Sequence, residues 1–229
     1  MSVLEQHLSE TLATRARDRL LRVRRAIAWQ SAVECTIDDR ACVAFCSNDY
    51  LGLARDPEVR AAAAAAAAAY GAGAGAARLI AGEYALLREL EQELAAWKGT
   101  QAALVFPSGY MANLGVIAAL AGPGDRVVVD RLAHASIIDG VRLSRARLNV
   151  FPHNDVERLS AILARPHAGR TLVVTESVFS MDGDCAPLAA LAACAEAHGA
   201  ILIVDEAHAL GVYGNGRGLA AELGLTARI

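Results

Sequence analysis

The stretch from Ile201 to Gly218, ILIVDEAHALGVYGNGRG, decides the fold. Four apolar residues, Ile201 to Val204, run into Asp205, and His208 follows three positions on. An uninterrupted apolar run of this kind reads as a strand buried on both faces, the signature of a parallel sheet. The acid and the imidazole then stand at the carboxyl edge of that sheet, where α/β proteins bind their ligands.

Working outward, the same grammar repeats. Strands are expected at AALVFPS (102–108), DRVVVD (125–130), LNVFPH (148–153) and RTLVVTES (170–177), besides the opening one. Between them, LLRELEQELAAWKG, GYMANLGVIAALAG, HASIIDGVRLSRA, DVERLSAILARP and PLAALAACAEAHG carry helical periodicity. Alternation of this kind predicts an α/β architecture of three layers, a mostly parallel sheet covered on both faces. Its strand ends would bring together Ser108 and Gly109, Asp130 and His134, Glu176 to Ser180, and Asp205 with His208.

Upstream, residues 3–29 read as one Arg-rich amphipathic helix, and CTIDDRACV as two short strands around an Asp-Asp turn. DPEVRAAAAAAAAAYG has Asp56 as N-cap, Pro57 in the first turn and Gly71 as C-cap. Its alanine run predicts a close-packed helix.

Composition removes several function classes. The formal charge of −3 and pI near 6.1 give no electrostatic footprint for nucleic acid or a membrane surface. The N-terminus lacks an apolar signal core and no apolar run approaches membrane-span length, so a cytoplasmic protein is expected. Cysteines stand at 35, 42, 46, 185 and 194 without a second pair to complete a metal site, so no metal is expected and the thiols read as reduced. DEAH at 205–208 is also a helicase tetrapeptide, but no GxxxxGK[ST] phosphate loop accompanies it. GAGAGA from Gly71 follows a helix rather than a strand, so it reads as a turn and not as a dinucleotide fingerprint.

The strand-end residues fit what pyridoxal 5′-phosphate (PLP) requires. Ser108-Gly109-Tyr110, opening a helix after an apolar run, suits a phosphate. Asp205 suits the pyridine nitrogen, which must stay protonated to draw electrons. His208 lies within reach of the phenolic oxygen, His134 suits the face of the ring, and Glu176 and Ser180 suit its edge. Asp182 and Asp184 read as a turn.

At these positions SNDYLGL, SGYMAN, HASIIDG, HND, ESVFSMDGD and VDEAHALGVYGNGRG resemble the α-oxoamine synthases, a family of fold-type-I PLP enzymes, over about residues 40–224. The resemblance implies a homodimeric acyltransferase of the aminotransferase class I/II fold that condenses an amino acid with an acyl thioester and releases CO₂. SNDYLGL, ARLIAG and HND are most similar to the biotin-biosynthesis branch, which joins L-alanine to pimeloyl-CoA or a pimeloyl carrier protein. HASIIDGVRLSRA is also similar to the branch that makes 2-amino-3-ketobutyrate. By the same resemblance, Gly109 and Tyr110 hold the phosphate, His134 stacks on the ring and touches substrate, and Ser180 and His208 bind the cofactor. Asp205 pairs with the ring nitrogen, making His134 and Asp205 the catalytic pair. Arg22, or else Arg24 or Arg25, contacts the acyl substrate.

The family also needs a Schiff-base lysine beyond the GRG segment. The only lysine here is Lys98, at the end of a helix before Gly99, where a cation suits the helix dipole. Residues 1–55 are therefore expected to form an N-terminal helix and strand segment, and 56–229 an incomplete PLP-binding major domain without the small C-terminal domain. The 229 residues alone are expected to be an inactive fragment of a synthase or, alternatively, a non-catalytic partner subunit.

Overall fold

A computed structural model describes residues 1–229, which divide into two compact units, Met1–Ala69 and Tyr70–Ile229. In the first, α1 (Val3–Arg17) opens with a capping box: Glu5 N–H donates to Ser2 Oγ at 3.2 Å, and Ser2 N–H to Glu5 Oε2 at 2.6 Å. The expected helix to residue 29 stops here. Arg19 turns to φ +57° and the Arg15 carbonyl takes the N–H of both Leu20 and Leu21. No residue of α1 is buried, so no packed face carries the helix further.

Instead, β1 (Ile27–Trp29), not foreseen, pairs antiparallel with β2 (Glu34–Ile37), which pairs with β3 (Arg40–Val43). The expected Asp-Asp turn joins β2 and β3, with φ of +49° and +60° at Asp38 and Asp39, the left-handed pair of a tight hairpin. In α2 (Pro57–Tyr70) Asp56 Oδ1 accepts from the N–H of Glu58 and Val59, at 2.8 and 3.1 Å, and Gly71 follows at φ +86°. The alanine run is not close-packed: no residue of α2 is buried, and alanine's own helix propensity accounts for it.

The second unit holds α3 (Ala85–Lys98), α4 (Gly109–Leu120), β4 (Arg126–Asp130), α5 (Ala135–Ser144), β5 (Arg147–Phe151), α6 (Val156–Leu163), β6 (Thr171–Glu176), α7 (Leu188–Ala197) and β7 (Ile201–Asp205). A short helix, α8 (Leu219–Glu222), follows. The four strands form one parallel sheet in the order β5-β4-β6-β7. Alternate residues supply two cores, as the period of a strand requires. Val127, Val129, Leu172 and Val174 pack with Ile117 of α4 and Ile137 and Val141 of α5. Val128, Phe151, Val173 and Leu202 pack with Leu159 of α6 and Leu188, Leu191 and Ala192 of α7. The three layers are therefore α4 and α5, the sheet, and α6 and α7.

One expected strand is absent: residues 102–108 belong to no strand of either sheet. Side chains take the backbone groups a ladder would have used. Val105 N–H donates to Glu91 Oε1 at 2.8 Å, and Arg78 Nη1 donates to the Val105 carbonyl at 3.2 Å. Arg78 opens an unforeseen π-helical turn, Arg78–Gly82, and also grips Glu83 and Glu91.

Lys98 also departs from the exposed helix-end role. Its Nζ lies 2.5 Å from Glu206 Oε2 and donates to the Arg217 carbonyl at 2.6 Å, tying α3 to the segment after β7. Glu206 is largely buried, so deleting the cation leaves an uncompensated charge. Lys98→Met in the whole protein should lower unfolding stability by about 2–4 kcal/mol, read as a shift in urea midpoint without a change in slope.

Candidate functional site

Connections diverge at β4 and β6. The chain leaves β4 through α5 toward β5 on one side, and leaves β6 through α7 toward β7 on the other. A doubly wound sheet opens a crevice where its crossovers part in this way. The residues predicted from sequence meet there, on the loops after β4, β6 and β7 and the start of α4.

Ser108 caps α4, accepting from Met111 N–H at 3.2 Å, and its carbonyl accepts from Ala112 N–H at 3.0 Å. The amides left facing out of the helix start are therefore those of Gly109 and Tyr110. A side chain at Gly109 would meet nothing within 4 Å, so the approach to these amides is open. The Tyr110 hydroxyl donates to the Asp139 carboxylate, and its ring meets His134 edge-on with centroids 6.3 Å apart. That hydrogen bond raises the Tyr110 pKa and keeps the hydroxyl a donor.

His134 caps α5, its exposed ring accepting at Nδ1 from Ser136 N–H at 3.2 Å. Ser136 Oγ lies 2.7 Å from the same nitrogen. Asp205, at the end of β7, accepts from Ala207 N–H at Oδ1 (2.9 Å) and from Asn113 Nδ2 at Oδ2 (2.8 Å). Both oxygens are held by neutral donors and no cation of the chain pairs with this acid. His208 is half-buried in the turn that follows β7, and Ser180 is exposed after β6. Arg22, Arg24 and Arg25 are exposed in the first unit, outside any helix or strand.

Sequence reasoning placed Glu176 at the ring edge but missed its work. It is buried beside the backbone N–H groups of His134 and Ser180, whose polarity favours its charged form. One carboxyl group thus stands beside both the loop after β4 and the loop after β6. Its Oε1 has no hydrogen-bond partner, an orphaned buried polar atom. Glu176 and Asp205 are register partners on adjacent strands. Burial, then the charge of Asp205, push the Glu176 pKa up to about 7, and the two amides offset this only in part.

Behind the site, the fully buried Asp130 accepts from His153 (3.0 Å) and from the N–H of Leu132 and Asn154. His153 also meets Asp184 at 2.8 Å and packs edge-on against Phe179. Asp184 thus ties the turn at 180–184 to the HND segment, in keeping with a loop-holding role.

The model of the family "Aminotransferase class I and II" matches residues 40–227. The chain belongs to that family. It is similar to 8-amino-7-oxononanoate synthase of Anaeromyxobacter sp. (strain K), with 59% identity over 84% of this chain and 49% of that protein. It is 50% identical to the enzyme of the same name from Azoarcus sp. (strain BH72), over 98% of this chain and 58% of that one. The chain therefore spans about half the length of the curated relatives it matches. Among solved structures, Sphingomonas wittichii serine palmitoyltransferase superposes with a TM-score of 0.89 at 38% identity, covering 100% of this chain and 59% of that one. An 8-amino-7-oxononanoate synthase from Francisella tularensis gives 0.67 at 33%, over 79% of this chain and 50% of that one. Backbone likeness favours the first name, and the 50–59% identity to the curated relatives favours the second. Identity bears more directly on a substrate pocket, because the fold is shared by many chemistries.

The buried Glu176 yields a pH prediction. In the unfolded chain it ionises near its ordinary value of 4.5, in the fold only near 7. The unfolded state thus releases this proton first, and stability falls as pH rises between those values, by about 3 kcal/mol in total. Urea unfolding of the cofactor-free whole protein should show that loss between pH 5 and 8, and Glu176→Gln should flatten it. An unchanged slope in the variant would assign the dependence elsewhere.

Proposed function

We propose that the whole protein is an 8-amino-7-oxononanoate synthase. It condenses L-alanine with a pimeloyl thioester, on CoA or a carrier protein, releasing CO₂ and the free thiol, a step of biotin biosynthesis. One observation carries the reading: a carboxylate without a cationic partner, Asp205, shares a crevice with an imidazole, His134, and with the open amides of a helix start. Identity of 50–59% to proteins of that name supports this substrate pair over the 2-amino-3-ketobutyrate alternative.

The residues present fit PLP. Gly109 leaves space at the amides that would take its phosphate, and Asp205 holds a negative charge oriented by two donors. The orphaned Glu176 Oε1 marks unfilled hydrogen-bonding capacity beside that acid. When bound, PLP supplies an electron sink that stabilises negative charge at the amino acid's α-carbon. Asp205 would hold the proton on the pyridine nitrogen. His134 would lie against the ring face and contact substrate, with Ser180 and His208 at the ring's polar edge and Arg22 contacting the acyl group. Residues 56–229 are read as part of the major, cofactor-binding domain and 1–55 as the N-terminal segment. The family's homodimer and a cytoplasmic location belong to the same reading. Lys98, held by Glu206 and the Arg217 carbonyl, is not the lysine that carries the cofactor.

The test uses the whole protein. L-alanine and pimeloyl-CoA should release free thiol in a PLP-dependent reaction, and glycine with acetyl-CoA should not. Asp205→Asn, which removes the charge at the ring nitrogen, should lower turnover on the order of 10²-fold or more with the fold intact. Near-normal turnover would remove Asp205 from this role. After borohydride reduction, the peptide containing Lys98 should carry no added cofactor mass.

A further inference from the structure

A chain of hydrogen bonds joins the two residues assigned to the ring. Asn113 Nδ2 lies 2.8 Å from Asp205 Oδ2 and 2.9 Å from Ser136 Oγ, which lies 2.7 Å from His134 Nδ1. Chemistry fixes the direction of every link. A carboxylate only accepts, so Asn113 must present its NH₂ group to Asp205, and one further N–H remains to donate to Ser136. His134 Nδ1 accepts from the Ser136 backbone N–H at 3.2 Å and so carries no proton, which leaves the Ser136 hydroxyl as donor to it. The imidazole proton is left on Nε2.

Burial makes this path selective. Ser136 is fully buried, so no bulk water competes for its hydroxyl. The helices that carry the links are also pressed together. A Cβ on Gly140 of α5 would meet the Asn113 carbonyl oxygen at 3.0 Å and Ile117 Cδ1 at 3.1 Å. Glycine at 140 therefore sets the spacing of α4 and α5 at which the amide reaches the hydroxyl.

We propose that Asn113 and Ser136 are positioning residues that relay the negative charge of Asp205 to His134 and hold its imidazole as the Nε2–H tautomer. The functional meaning rests on the reading of Asp205 and His134 as cofactor contacts; the relay itself does not. With both ring contacts in one network, the acid at the ring nitrogen also orients the imidazole at the ring face.

The experiment is ¹⁵N-histidine NMR on the whole protein without cofactor, followed by PLP titration of the same samples. In the wild type, His134 should show a protonated Nε2 and a strongly hydrogen-bonded, unprotonated Nδ1. Asn113→Leu, although it does not touch His134, should move the Nδ1 resonance toward that of a weaker bond, as should Ser136→Ala. The double variant should move it no further than Ser136→Ala alone, because the groups act in series. Gly140→Ala, which deletes no polar atom, should shift it in the same sense. PLP affinity should fall about tenfold in each variant, the size of one lost hydrogen bond to a charged network. An Nδ1 resonance unmoved by Asn113→Leu, or additive shifts in the double variant, would overturn the relay. Ser136→Ala, a deletion of one oxygen, keeps the test available if the leucine variant does not fold. If the shifts appear but the wild type binds no PLP, the relay stands and the cofactor reading falls.

Discussion

Two loops of this molecule meet beside a single buried carboxyl group. Glu176 ends β6 beside the amides of His134 and Ser180, which belong to the two loops that part at the crevice. Neither loop is long, and each begins at a strand end buried in the sheet. The acid lies past the last pair of the β4–β6 ladder, Val129 with Val174. The cost of holding a carboxyl among apolar strands and beside Asp205 appears as a pKa near neutrality.

The paired strands and the helices of the second unit were legible because each rests on a local signal. Val127–Val129, Leu172–Val174 and Ile201–Val204 are apolar runs of strand length, and Ser108, His134 and Asp155 cap the helices that follow. The errors fall where the outcome depends on a partner distant in sequence. Residues 102–107 have strand composition, yet Glu91 and Arg78 take their backbone groups. Residues 18–29 continue a helical pattern, but a helix with no buried face gains nothing by extension. Lys98 reads as a helix-end cation until a carboxylate 108 positions away closes on it.

The relay through Asn113 and Ser136 was hidden for the same reason. Both residues sit inside quoted motifs, SGYMAN and HASIIDG, where serine and asparagine pass as ordinary helix-start polar residues. Their meaning depends on α4 and α5 meeting at Gly140. The available signal was the helical spacing that puts Asn113 one turn beyond Gly109, beneath the open amides. That places a polar side chain where an apolar core contact would otherwise be expected.

The opening stretch itself shows how one strand end serves two needs. Asp205 and Glu206 are consecutive, so an extended backbone sends them to opposite sides. Asp205 meets Asn113 of α4, whereas Glu206 meets Lys98 of α3 and accepts from Ala220 N–H at 2.9 Å. The last glycine of GNGRG serves the second acid. Gly218 stands at φ +98°, and a Cβ there would come within 2.5 Å of Glu206 Oε2. Any side chain at 218 would thus push the Glu206 carboxylate off Lys98 and loosen the segment that leads away from the site. The second acid, with its lysine and its glycine, holds the strand end from which the first reaches Asn113.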